Sequence, residues 1–139
     1  MPQPEESVSI AIKYPDQDQA DVKVDPGEVT IYYNRKGGPG DSKLARKVRW
    51  EVEGVHKGDH VVVRPKESLD EWTRTIFVPP AGKKHFEATS EDRSVVCGPP
   101  VFGVDPGAFP IRWEYEAVVI RKGKMIGSCD PIVLIDKDP

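Results

Sequence analysis

Residues 109–136 read FPIRWEYEAVVIRKGKMIGSCDPIVLID, and this stretch decides the fold class. Ile111, Trp113 and Tyr115 alternate with Arg112, Glu114 and Glu116, so one set of side chains lines a buried strand face and the other meets water. Lys122-Gly123-Lys124 follows as a hairpin turn, and the chain returns from Met125. Beyond Asp130-Pro131, Ile132-Val133-Leu134-Ile135 is apolar on both faces, which predicts a central strand. The stretch is therefore a long strand over 109–121, its return, and a closing strand over 131–136.

The same period of two recurs upstream. Val8, Ile10, Ile12 and Tyr14 form one set, Ala20, Val22 and Val24 a second, Val29, Ile31 and Tyr33 a third, and Val48, Trp50 and Val52 a fourth. Strands are also expected over 60–64, 72–78, 84–88 and 93–97, and a helical turn capped by Ser42 over 42–47. Segment 98–107 carries three Pro and three Gly, which rules it out as a central strand. Of the 139 residues, 27 are Val or Ile and only three are Leu, a balance that suits pleated surfaces and excludes an all-α fold. The expectation is all-β: a single antiparallel two-sheet β-sandwich over 7–139 with eight or nine strands, preceded by a disordered polar tail over 1–6. Trp50 and Trp113 sit mid-strand, where large rings fill the space between sheets.

Two stretches carry a resemblance. Val29-Thr30-Ile31 followed, after a Gly-rich turn, by Val48-Arg49-Trp50 resembles the opening of cupredoxin-like or immunoglobulin-like Greek-key sandwiches. Ile111 to Ala117 followed by Asp130-Pro131-Ile132-Val133-Leu134 is similar to small uncharacterised bacterial proteins that end in an aromatic-rich hairpin and a D-P-[IV]-x-[IV] strand. A copper-binding cupredoxin would add a late, closely spaced Cys, His and Met set. Here His56, His60 and His85 all precede Cys97, and Cys129 follows Met125, so no cofactor is expected.

A net charge of −3 makes no field for polyanions, so nucleic acid is an unfavoured partner. No run approaches the ~20 apolar residues that span a bilayer. The start, Met1-Pro2-Gln3-Pro4-Glu5-Glu6, lacks a basic and then apolar leader, which points to the cytoplasm, or to secretion if the native start was trimmed. Cys97 and Cys129 each sit beside a turn and are either two small thiols or one bridge.

Three constellations could carry function. His56-Lys57-Gly58-Asp59-His60 turns into a strand, and its two rings with Asp59 form a candidate metal set set against an ordinary solvated turn. The loop Asn34 to Lys43 fails as a phosphate loop, because Ser42 stands where that motif needs its second Gly. Arg35 and Lys36 nevertheless open a basic stretch reaching Arg49 that could contact phosphates or an acidic partner. Glu51 with Glu53 and Glu114 with Glu116 share strand faces that are ordinarily charged, and no nucleophile elbow is present, so catalysis is not expected. Finally, Tyr32, Trp72, Phe77, Phe86, Phe102 and Phe109 exceed what one core needs. Phe102 and Phe109, held between prolines, either cap the sandwich end or line a surface for a protein or small ligand. The expected function is a non-catalytic binding or assembly module, with homodimerisation through an edge strand as a further arrangement.

Overall fold

The alternating segments fold into two facing sheets in the computed structural model, which describes residues 6–34, 44–102 and 106–138. Ten strands occur among the described residues: β1 Glu6–Lys13, β2 Lys23–Asp25, β3 Glu28–Tyr33, β4 Ala45–Glu53, β5 Asp59–Pro65, β6 Phe86–Ala88, β7 Ser94–Cys97, β8 Ile111–Arg121, β9 Lys124–Cys129 and β10 Ile132–Lys137. One helical turn, α1, spans Glu71–Arg74. The first sheet runs β2-β1-β4-β7 and the second β3-β10-β8-β5-β6. β8 shares one edge between two partners, because Asp130-Pro131 divides the returning chain. β10 pairs with residues 111–114 and β9 with residues 117–121. The closing strand β10 is central, lying between β3 and β8.

Several expectations are corrected. The strand count is ten rather than eight or nine, since both short segments, β6 and β7, find partners. The sheets are mixed rather than antiparallel: β1 runs parallel to β4, and β3 parallel to β10. Parallel neighbours need long connections, and here the intervening chain supplies them by visiting the opposite sheet. Segment 72–78 is not a strand. The Asp70 carboxylate accepts the Thr73 N–H at 2.7 Å, a cap that starts a helical turn despite the strand-like Ile76 and Phe77. Residues 45–47, expected in a helical turn, open β4 instead, and Glu6 belongs to β1 rather than to the tail.

Inward residues of both sheets meet in one core. Ile10 and Ile12 of β1, with Val48 and Trp50 of β4, face Ile31, Val61, Val63, Trp113, Tyr115, Val133 and Ile135. Trp50, from the first sheet, donates its indole N–H to the Tyr115 hydroxyl of the second at 3.0 Å. The Trp50, Trp113 and Tyr115 ring centroids lie 5.1–6.3 Å apart. Burial pushes the Tyr115 phenol above its ordinary pKa, which keeps it neutral as an acceptor for Trp50.

Segment 20–22, expected to open a strand, instead closes the sandwich over β9. Ala20 N–H donates to the Ile126 carbonyl at 2.8 Å. A Cβ on Gly127 would overlap the Ala20 carbonyl oxygen and a Val22 methyl, so only glycine admits this approach. Gly127→Ala should lower stability by about 2 kcal/mol in urea denaturation. Tyr115→Phe keeps the volume but leaves the Trp50 N–H without its acceptor, and should cost about 1–2 kcal/mol in the same assay.

Candidate functional site

β8 is long enough, at about 35 Å, to set two different surfaces far apart. Phe109 precedes its first residue and Arg121 is its last. At the Phe109 end, aromatic rings from separate chain segments converge. Tyr33 ends β3, Trp72 lies on α1, and Phe102 and Phe109 flank the Pro- and Gly-rich approach to β8. Phe102 meets Tyr33 edge-on at 4.7 Å between centroids, stacks on Trp72 at 5.6 Å and meets Phe109 at 6.4 Å, while Tyr33 stacks on Phe109 at 6.2 Å. Offset stacks and edge-on contacts are the favoured arrangements for such rings. Tyr33, Phe102 and Phe109 are half-buried, and Trp72 keeps 39% of its surface in water.

Backbone and charge fix this end. Val101 N–H donates to the Ile76 carbonyl at 2.8 Å, tying the loop to the segment after α1. Arg46 reaches from β4 to the Asp138 carboxylate, with Nη2 to Oδ2 at 2.8 Å, and donates to the Tyr32 carbonyl at 3.0 Å. The first sheet is thereby joined to β3 and to the residue that follows β10. Lys47 and Arg49 alternate with the buried Val48 and Trp50, so they occupy the outer face of β4. The described part of the basic stretch is thus divided between an ion pair and an open sheet face. Arg35 and Lys36 lie outside the described residues.

At the Arg121 end, the candidate metal set comes apart. Asp59 and Arg121 are register partners on β5 and β8. The Asp59 carboxylate, only 2% exposed, receives two bonds from the Arg121 guanidinium at 2.9 Å and one from the Tyr14 hydroxyl at 2.8 Å. Arg121 also holds Asp16 at 2.6 Å and Asp18 at 3.3 Å. Bonding to Arg121 holds the Asp59 carboxyl below its ordinary value, and burial raises the Tyr14 phenol to about 12. His56 turns to Tyr14 and Asp16, its Nδ1 3.9 Å from that carboxylate. His60, one residue along β5 from Asp59, points to the opposite face and engages Glu87. His56, Asp59 and His60 therefore do not converge. No group of three His, Cys, Asp or Glu among the described residues is placed to hold a metal.

Cys97 is buried, its thiol pushed up to about 12 by desolvation, and neither it nor Cys129 is bridged. Phe77 and Phe86 belong to the core. The sequence reading singled out Phe102, Phe109 and Trp72, but placed Tyr33 on the buried face of its strand. Its position last in β3, beyond Val29 and Ile31, is the signal that it could lie at the rim. Comparisons with protein-family models, with curated proteins and with solved structures returned no match.

The Asp59 geometry fixes a pH dependence. A carboxyl whose folded pKa is depressed contributes stability above its ordinary value of 3.8 and loses it as pH falls through the folded pKa. Asp59→Asn should cost about 2–3 kcal/mol at pH 7, because it removes hydrogen bonds to a charged acceptor. The Tm difference between wild type and variant should narrow below pH 4, as thermal scans from pH 7 to pH 3 will check.

Proposed function

We propose that this chain is a non-catalytic binding module that engages a protein partner through the aromatic end of its sandwich. The observation that carries the reading is Trp72. The inter-sheet space is already filled by Trp50, Trp113, Tyr115, Phe77 and Phe86, yet a large ring remains two-fifths exposed on a half-buried aromatic cluster. Exposed tryptophan and tyrosine on rigid supports are typical anchors of protein interfaces. Pro99, Pro100, Pro106 and Pro110 restrict the approach to β8 and so reduce the entropy lost on binding. The rings pack on one another edge-on and stacked, which gives the exposed Trp72 a supported aromatic bed.

Several observations support the remainder of the reading. The buried titratable side chains Asp59, Tyr14 and Tyr115 are each engaged in structural hydrogen bonds, which accords with a non-catalytic role. The unbridged thiols accord with a cytoplasmic setting. The edge strands β2, β6 and β7 have only three or four residues each, so edge-to-edge homodimerisation, the second arrangement within this reading, would use the six-residue edge strand β3. A likeness to cupredoxin-like or immunoglobulin-like sandwiches belongs to the same proposal. It draws support from β3 and β4, whose Val29, Ile31, Val48 and Trp50 lie in opposite sheets and share the core.

Trp72→Ala should cost only about 1 kcal/mol in stability, the scale of one stacked aromatic pair. A photo-crosslinking side chain at position 72 should give a discrete protein adduct in cells of the native source. The same group at position 125, exposed near the opposite end of β8, should not. No adduct at 72, or the same adduct from both positions, would refute the proposal.

A further inference from the structure

The side of α1 turned away from Trp72 borders a separate recess. Residues two apart on a helix do not share a face, so Trp72 joins the aromatic cluster while Arg74 points elsewhere. Between α1, the segment that follows it, the end of β5 and the start of β6 lies an open recess of about 460 Å³. That volume suits a small organic ligand. Phe77 and Phe86 form its apolar floor, and Val78, 64% exposed, stands at its rim. Arg74, Lys84 and His85 supply donors around that floor, against the single carboxylate of Glu71.

Charge decides what would fit. The Arg74 Nε is buried and has no acceptor among the described residues. Arg74 makes no side-chain hydrogen bond or ion pair with a described residue, so its outer Nη groups, rather than the buried Nε, are available to an incoming acceptor. Of the nearby acids, Asp70 caps α1 through the Thr73 N–H and Glu87 lies between His60 and His85, 3.9 Å from the latter, which leaves Glu71 as the one carboxylate against Arg74 and Lys84 among the described lining residues. Lys84 is exposed and makes no ion pair with a described residue. Cations therefore exceed anions around an apolar floor. A guanidinium with unbonded Nη groups presents a fork whose geometry matches the two oxygens of a carboxylate.

We infer that this recess binds a small carboxylate with a short apolar body, its oxygens on Arg74 and Lys84 and its carbon chain over Phe77, Phe86 and Val78. The carboxylate supplies the acceptor that Arg74 lacks. The apolar body covers the exposed Val78 methyls, which otherwise meet water. The inference is independent of the protein partner proposed above, since the two surfaces use different residues.

The test is titration of the full chain with hexanoate, acetate, hexylamine and inorganic phosphate, read by calorimetry and by amide chemical shifts. Hexanoate should saturate one site and shift amides within 71–86. Acetate and phosphate, which lack the apolar body, should bind at least tenfold more weakly, and hexylamine should not bind. Arg74→Gln should weaken hexanoate at least tenfold. Lys84→Glu, at an exposed position that does not bear on folding, should weaken it by a similar factor. The proposal fails if hexanoate does not saturate, if hexylamine matches it, if acetate or phosphate binds as tightly, or if Lys84→Glu binds hexanoate like the wild type.

Discussion

The indole of Trp50, reaching across the gap between the sheets to the hydroxyl of Tyr115, is the contact around which the rest of the molecule is arranged. It links β4, in the middle of one sheet, to β8, in the middle of the other. Trp113 and Phe86 pack against the same indole, so the widest part of the core is filled by rings. Burying such rings removes large apolar areas from water, and their edge-on and tilted contacts add to that gain. The hydrogen bond requires one particular alignment of the sheets, because a one-residue slip of β8 would turn Tyr115 outward.

A core completed in this way leaves the two ends of β8 available for different purposes. One end is closed by charge: Asp59, buried beside its register partner Arg121, is neutralised by that guanidinium and bonded by Tyr14. Removing Arg121 would leave the Asp59 carboxylate buried without its counter-charge, so this network serves the fold. The opposite end is finished with half-exposed rings, and α1 sits beside them with Trp72 turned to the rings and Arg74 to the recess. A four-residue helix thus borders both surfaces to which we assign binding. Its existence traces to the carboxylate of Asp70, which holds the first turn in place.

What the sequence made legible follows from what strand periodicity encodes. Alternation assigns faces, so the buried Ile111, Trp113 and Tyr115 and the central position of β10 could be read directly. Alternation says nothing about which strand lies alongside, so the parallel pairing of β1 with β4 and of β3 with β10 was out of reach. Ile76 and Phe77 read as strand residues, because a single side-chain cap at Asp70 leaves only a faint signal against two apolar neighbours. Asp59 stood out only beside two histidines, whereas its true partner, Arg121, lies 62 residues away and is brought to it by register alone. Phe102 and Phe109 were visible as surplus rings between prolines. Arg74 and Lys84 gave no signal, since ten residues separate them in sequence and only the fold brings them to one recess.

The central claim is that the sandwich core is self-sufficient and that its aromatic end is an addition available for recognition. Native-state hydrogen exchange tests this most directly, because it ranks the opening free energy of each amide. The account predicts that the Val101 amide, bonded to the Ile76 carbonyl, and the amides of α1 exchange through local opening well below the global unfolding free energy. Trp50 and Tyr115 amides should exchange only with global unfolding. Equal protection at Val101 and Tyr115 would contradict the account, because it would make the aromatic end part of the cooperative core.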